Sequence, residues 1–239
     1  MSLLYVTGDT HGNINRFSAK ELRKLKKGDT LFVCGDFGFI WDNSPQEKKN
    51  LKKLSSKKYT ICFIDGTHEN FDLLKEYKLG TYKGGLARKI SNNIYYLQRG
   101  QIYEFEGKSI FVMGGGESPD IDLRYEKDTW SSEETPIRQE LIDGAKRLQE
   151  RDFSVDFILS HEPPAKIKSL LLLQDTESAR ITGLNTYLEE LSQSCEFNCW
   201  YFGSMHIDKY ISSTHIGVYQ KIINMITENS LTGDIIQTV

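Results

Sequence analysis

The chain has 239 residues, 30 basic and 33 acidic side chains, a net charge of −3 and 38% hydrophobic residues. That length suits one globular domain over 1–239 with a sizeable buried core, and the slightly acidic balance argues against a surface built to coat nucleic acid. Of the four cysteines, Cys34 and Cys62 fall in apolar runs, and Cys195 and Cys199 lack a second pair at zinc-clip spacing, so free core thiols in a reducing cytoplasm are expected.

In chain order, Leu3 to Val6, Thr30 to Cys34 and Tyr59 to Ile64 are short β-rich runs, and helix-period segments separate them. Ile14, Phe17, Leu22 and Leu25 share one such face, and Leu51 and Leu54 another. This alternation predicts parallel βα units. A helix follows with Phe71, Leu74 and Tyr77. Then Tyr95 to Leu97, Gln101 to Phe105 and Ser109 to Met113 suggest strands joined as hairpins at Arg99-Gly100 and Glu106-Gly107. Residues 114–136, with three consecutive glycines, lack a period and read as one long loop. Strands are expected again at Phe157 to Leu159 and Cys199 to Phe202, helices at Glu140 to Arg151 and Leu184 to Leu191, and a second-sheet completion in the tail from Tyr210. The longest apolar cluster, Leu170 to Leu173, is far short of a membrane span, and no basic leader precedes the first strand; no membrane association is expected.

Ligand-type residues stand where five of these strands end. Gly8-Asp9-Thr10-His11-Gly12 closes the first, Gly35-Asp36 the second, and Asp65-Gly66-Thr67-His68-Glu69 the third. Ser160-His161-Glu162-Pro163 and Gly203-Ser204-Met205-His206 close two later ones. In open α/β sheets ligands collect beyond the carboxyl ends of strands, so this order points to one shared site of carboxylates and imidazoles. A serine nucleophile formed by Ser160 and His161 is excluded, because adjacent residues on an extended chain point apart.

With these five blocks the chain resembles the calcineurin-like metallophosphoesterases, whose pattern is GDxHG, GD, GNHE, an isolated His and GHxH. The resemblance runs from Gly8 to about Asp208 and is nearest a bacterial and phage branch, to which GDFG at Gly35, HENF at His68, RG at Arg99 and the loop ending at Arg124 are similar. It implies an α/β fold, a four-layer α/β/β/α sandwich with two mixed β-sheets, and hydrolysis of a phosphomonoester or phosphodiester by metal-activated water. Asp9, His11, Asp36 and His206 would hold the first metal, with Asp36 bridging to a second that also uses His161. His68 would be the catalytic acid that protonates the leaving oxygen, and Arg124 would bind substrate phosphate.

Two positions depart from the pattern: Thr67 replaces the Asn of GNHE and Ser204 the first His of GHxH. Hydroxyls are poor ligands, which implies one strong site and a second that is weak or empty. The acid that orients His68 in many relatives is also missing from Phe37-Gly38-Phe39, with Asp42 as the nearest substitute. Mixed oxygen and nitrogen ligation suits a divalent transition metal, manganese first, with iron or zinc as alternatives. The rival reading is a catalytically degenerate relative that binds a nucleotide, nucleic acid or protein partner.

Overall fold

A computed structural model describes residues 2–118, 125–126, 130–173 and 180–226. The first sheet contains β1 (Leu4–Thr7), β2 (Thr30–Cys34), β3 (Thr60–Ile64), β4 (Leu79–Tyr82), β5 (Gly85–Lys89) and β6 (Ile94–Leu97). The second contains β7 (Gln101–Phe105), β8 (Lys108–Met113), β9 (Phe157–Ser160), β10 (Cys199–Phe202), β11 (Lys209–Tyr210) and β12 (His215–Gly217). A further strand, β13 (Ile223–Asn224), returns to the first sheet beside β1. The strand orders are β13-β1-β2-β3-β6-β5-β4 and β11-β12-β10-β9-β8-β7. In both sheets the central strands are parallel and the outer pairings antiparallel, with β5 antiparallel to both its neighbours.

Among the described residues, helices α1 (Pro45–Ser55), α2 (Phe71–Glu76), α3 (Arg138–Gln149), α4 (Ala165–Leu172) and α5 (Gly183–Ser194) cover the outer faces. Three apolar layers result. Val6, Phe32 and Ile64 meet Val112, Leu159 and Tyr201 between the sheets. Alternate residues of the same strands, such as Val33 and Phe63, pack outward on Leu54 of α1 and Leu74 of α2. Ile158, Trp200 and Phe202 do the same against Leu148 of α3 and Leu188 of α5. This is the α/β/β/α sandwich with two mixed sheets. Strands buried on both faces explain the nearly continuous apolar runs. No helix among the described residues is long and apolar enough to cross a membrane.

Three local expectations change. The helix expected across Ile14 to Leu25 is two short 3-10 turns, Ile14–Ser18 and Glu21–Lys24, because Ala19 turns extended at ψ 150° and re-aims the chain between Phe17 and Leu22. The connection at Arg99-Gly100 is no hairpin: it carries the chain from β6 in the first sheet to β7 in the second. Arg99 is drawn instead into a buried pair with Asp65. Glu106-Gly107 does form the expected tight turn, with φ values of 52° and 74° between paired β7 and β8. The tail divides, since β11 and β12 complete the second sheet while β13 joins the first. The β4–β5 hairpin has no counterpart in the sequence reading. Its turn is Lys83-Gly84, both at positive φ, on an exposed edge with weak apolar alternation.

Candidate metal centre

Strands β1, β2 and β3 of one sheet and β9 and β10 of the other end at a common rim, which brings the five sequence blocks together. His206 Nε2 lies 3.0 Å from Asp9 Oδ2 and 3.0 Å from His11 Nε2. His161 bridges the two carboxylates, its Nδ1 3.6 Å from Asp9 Oδ1 and its Nε2 3.8 Å from Asp36 Oδ1. Asp36 Oδ2 is 2.8 Å from His68 Nδ1 and 3.8 Å from His11 Nδ1. Three sets have ligand atoms mutually within 4.8 Å: Asp9, His11 and His206; Asp9, Asp36 and His161; and His11, Asp36 and His68. The predicted residues Asp9, His11, Asp36, His68, His161 and His206 thus share one cluster. Arg124 lies outside the described residues.

The local backbone is bent to make this possible. His11, Asp36, Ser204 and His206 all sit at positive φ, between 45° and 58°, where side chains other than glycine are uncommon. Such conformations cost of the order of 1–3 kcal/mol each and gather at functional sites. Gly35, at φ 96°, is needed twice over, since a Cβ there would also run into the His161 ring. At Gly66 a Cβ would strike the Asp36 carboxylate and the same ring.

The carboxylates of Asp9 and Asp36 are buried, whereas His11, His68 and His206 keep an open side. Burial opposes ionisation of Asp36, but His161 and the hydrogen bond from His68 outweigh it and hold the carboxyl below its ordinary range. Burial likewise works against the His161 cation, yet Asp36, Asp9 and Glu162 raise its pKa to about 9. Its Nδ1 is also 3.1 Å from the Cys34 carbonyl oxygen. The hydrogen bond to Asp9 raises His206, while burial lowers His11. His206 is further fixed by Tyr219, stacked at 4.5 Å, and Tyr219 lies under the Arg16 guanidinium.

This donor set fits a divalent cation. Two buried carboxylates have imidazoles as their charged neighbours in the cluster, and ring nitrogens of His11 and His206 face each other on its open side.

The edge bearing Thr67 and Ser204 is organised by residues that sequence reasoning missed. Ser204 donates from its backbone nitrogen to Asp9 and from Oγ to Glu162 Oε1 at 2.8 Å. The other Glu162 oxygen accepts from Lys168 Nζ at 2.7 Å and Asn185 Nδ2 at 2.9 Å. Glu162 is desolvated, but the Lys168 ammonium, aided by His161, keeps its pKa below the usual value. Lys168 lies on α4 and Asn185 on α5, so the only advance sign was Glu162 itself, next to His161. Asp9 also reaches His161, giving the second group a carboxylate beyond Asp36.

His68 takes its carboxylate partner from Asp36; Asp42 accepts from the Ser44 backbone instead. Thr67 Oγ1 is 3.0 Å from the same His68 Nδ1. The third strand end is braced from behind. Arg99 binds Asp65 Oδ2 through Nε at 2.8 Å and Nη2 at 2.5 Å, and Tyr96 donates to Asp65 Oδ1. Buried Glu69 accepts from the Phe37 backbone, and desolvation pushes its carboxyl well above the normal range.

No curated protein matches the chain. A solved structure, a protein of unknown function, AQ665, from Aquifex aeolicus, is similar at 19% identity, covering 68% of this chain and 79% of that one with a TM-score of 0.34. The family model for calcineurin-like phosphoesterase matches residues 3–219, a span that holds all six clustered side chains, and the chain belongs to that family.

Proposed function

We propose that the protein is a metal-dependent phosphoesterase that hydrolyses a phosphomonoester or phosphodiester at the strand-end cluster. The convergence of Asp9, His11 and His206, with ligand atoms within 4.8 Å of one another, carries this reading. Asp9, His11, Asp36 and His206 would hold the first cation, manganese by preference and iron or zinc as alternatives. When bound, such an ion polarises a phosphoryl oxygen and makes water nucleophilic near neutral pH. Asp36, His161 and Asp9 reach toward a second position, where the hydroxyls of Thr67 and Ser204 make binding weak.

The side chains then divide the work. Asp36 accepts from His68 Nδ1 and so fixes the ring, leaving Nε2 to deliver a proton to the departing alkoxide. His161 sits buried between the carboxylates and keeps them apart, while Tyr219 holds the His206 plane. The free cysteines fit a reducing cytoplasm.

A second reading, a binding protein without turnover, is favoured by the Glu162–Lys168 pair that occupies the side of the missing ligands. Elemental analysis combined with hydrolysis of 4-nitrophenyl phosphate and its bis ester under added manganese separates the two. About one metal per chain with turnover is expected, and Asp36→Asn should abolish both. No turnover at any manganese concentration would leave only the binder.

A further inference from the structure

We propose that the cleft beside His68 receives the leaving alcohol of the ester, and that it selects a planar, nucleoside-like group bearing no second phosphate. This rests on the phosphoesterase reading, because a leaving oxygen must lie within reach of the acid that protonates it. The cleft, about 390 Å³, starts at His11 and His68 and extends past Phe39 and Trp41 to Gln46 and Asn50 of α1. That volume falls within the usual range of small-molecule sites, about 300–1,000 Å³.

Three features define the occupant. Trp41, half-buried in the cleft wall, supplies an aromatic surface that suits stacking on a flat ring, and Phe39 packs behind that wall in the core. Gln46 and Asn50, four residues apart on one face of α1, are joined by a bond from Gln46 Nε2 to Asn50 Oδ1 of 3.0 Å. Among the described residues this leaves one half of each amide without a hydrogen-bond partner, a carbonyl oxygen on Gln46 and an NH₂ on Asn50. Adjacent acceptor and donor groups of this kind match the donor–acceptor edge of a nucleobase. Charge supplies the third feature. No lysine or arginine among the described residues lines the cleft, whereas Asp42 and Glu47 do. A second phosphate would meet carboxylates with no cation to pair with.

The wall is also held rigidly to the acid. Glu47 accepts from the backbone nitrogens of Trp41 at 2.6 Å, Asp42 at 3.0 Å and Asn43 at 3.2 Å, which pins the loop. Asn70, two residues after His68, caps α2 through Leu73 and donates to the Trp41 carbonyl at 2.6 Å. Trp41 and His68 thus belong to one braced unit, and the ring of a bound ester would be placed relative to the proton donor.

The test is calorimetric binding of adenosine 5′-monophosphate, ribose 5-phosphate and adenosine 5′-diphosphate to the full chain with added manganese, alongside 4-nitrophenyl phosphate hydrolysis. The monophosphate should bind at least about tenfold more tightly than either comparison compound. Trp41→Ala should weaken its binding about fivefold or more while Trp41→Phe retains most of it, and Asp42→Asn, which still accepts from Ser44, should narrow the gap to the diphosphate. Equal binding of monophosphate and ribose 5-phosphate, or equal binding of mono- and diphosphate, overturns the assignment. If aryl phosphate is hydrolysed in that case, the phosphoesterase reading survives alone. Discrimination without any hydrolysis would retain the cleft and remove the enzyme.

Discussion

Around Asp9, His11 and His206 polar atoms face one another across the rim, with imidazole nitrogens turned inward and solvent on one side. Around Thr67 and Ser204 they are turned toward protein partners: Ser204 to Glu162, and Glu162 to Lys168 and Asn185. Both regions bury carboxylates, and a buried carboxylate needs a compensating charge. In the first, the imidazoles of His161 and His206 stand beside the carboxylates, and the His206 side stays open to solvent. The second contains its counter-charge as the Lys168 ammonium on α4. The edge bearing Thr67 and Ser204 thus carries an internal ion pair where the other edge is open, and the two differ in the source of their counter-charge.

The largest effect should come from making the two edges alike. In Thr67→Asn combined with Ser204→His, the new imidazole would stand beside Glu162, whose carboxylate can accept from its second nitrogen as metal-bound histidines ordinarily require. Manganese stoichiometry should rise toward two per chain, and turnover of an aryl phosphate by about three decades, which corresponds to about 4 kcal/mol. A variant that binds two ions at an unchanged rate would break the link between this edge and catalysis.

Next in size is the internal counter-charge. Lys168→Met leaves Glu162 buried without its ammonium partner, and urea unfolding should register a loss of about 3–5 kcal/mol. A loss below about 1 kcal/mol would mean that Asn185 and Ser204 satisfy the carboxylate by themselves.

The smallest effect concerns the fifth histidine, a control outside both edges. His215 is buried, stacked on Trp200 at 5.6 Å and hydrogen-bonded to Ser192, and burial lowers its pKa to about 4. The folded form binds its proton less readily than the unfolded chain. Its stabilising contribution is therefore complete above about pH 6.5 and is lost as pH falls toward 4, on the order of 3 kcal/mol. His215→Phe should flatten unfolding free energy across that window without altering manganese binding at pH 7.5. An unchanged slope would place the acid sensitivity elsewhere.

The amino-acid sequence determined the inner, doubly covered strands and the order of their functional ends. Runs such as Thr30 to Cys34 are apolar on both faces and can only be inner strands of a covered sheet, and Gly-Asp or Ser-His steps mark where each one opens. Periodicity and turn chemistry are local properties, and so are the caps of α1, where Ser44 accepts from Glu47 after its first turn begins at Pro45. Tertiary structure alone decided which sheet each strand joins, as at Arg99, whose local Arg-Gly step looks like a hairpin but whose guanidinium is claimed by Asp65, 34 residues earlier. It also decided that Asp36 orients His68, and that Lys168 and Asn185 from two different helices close on Glu162. Those pairings are chosen by the cost of burying charge without a partner, which depends on where the chain is brought in space and leaves no mark on residue spacing.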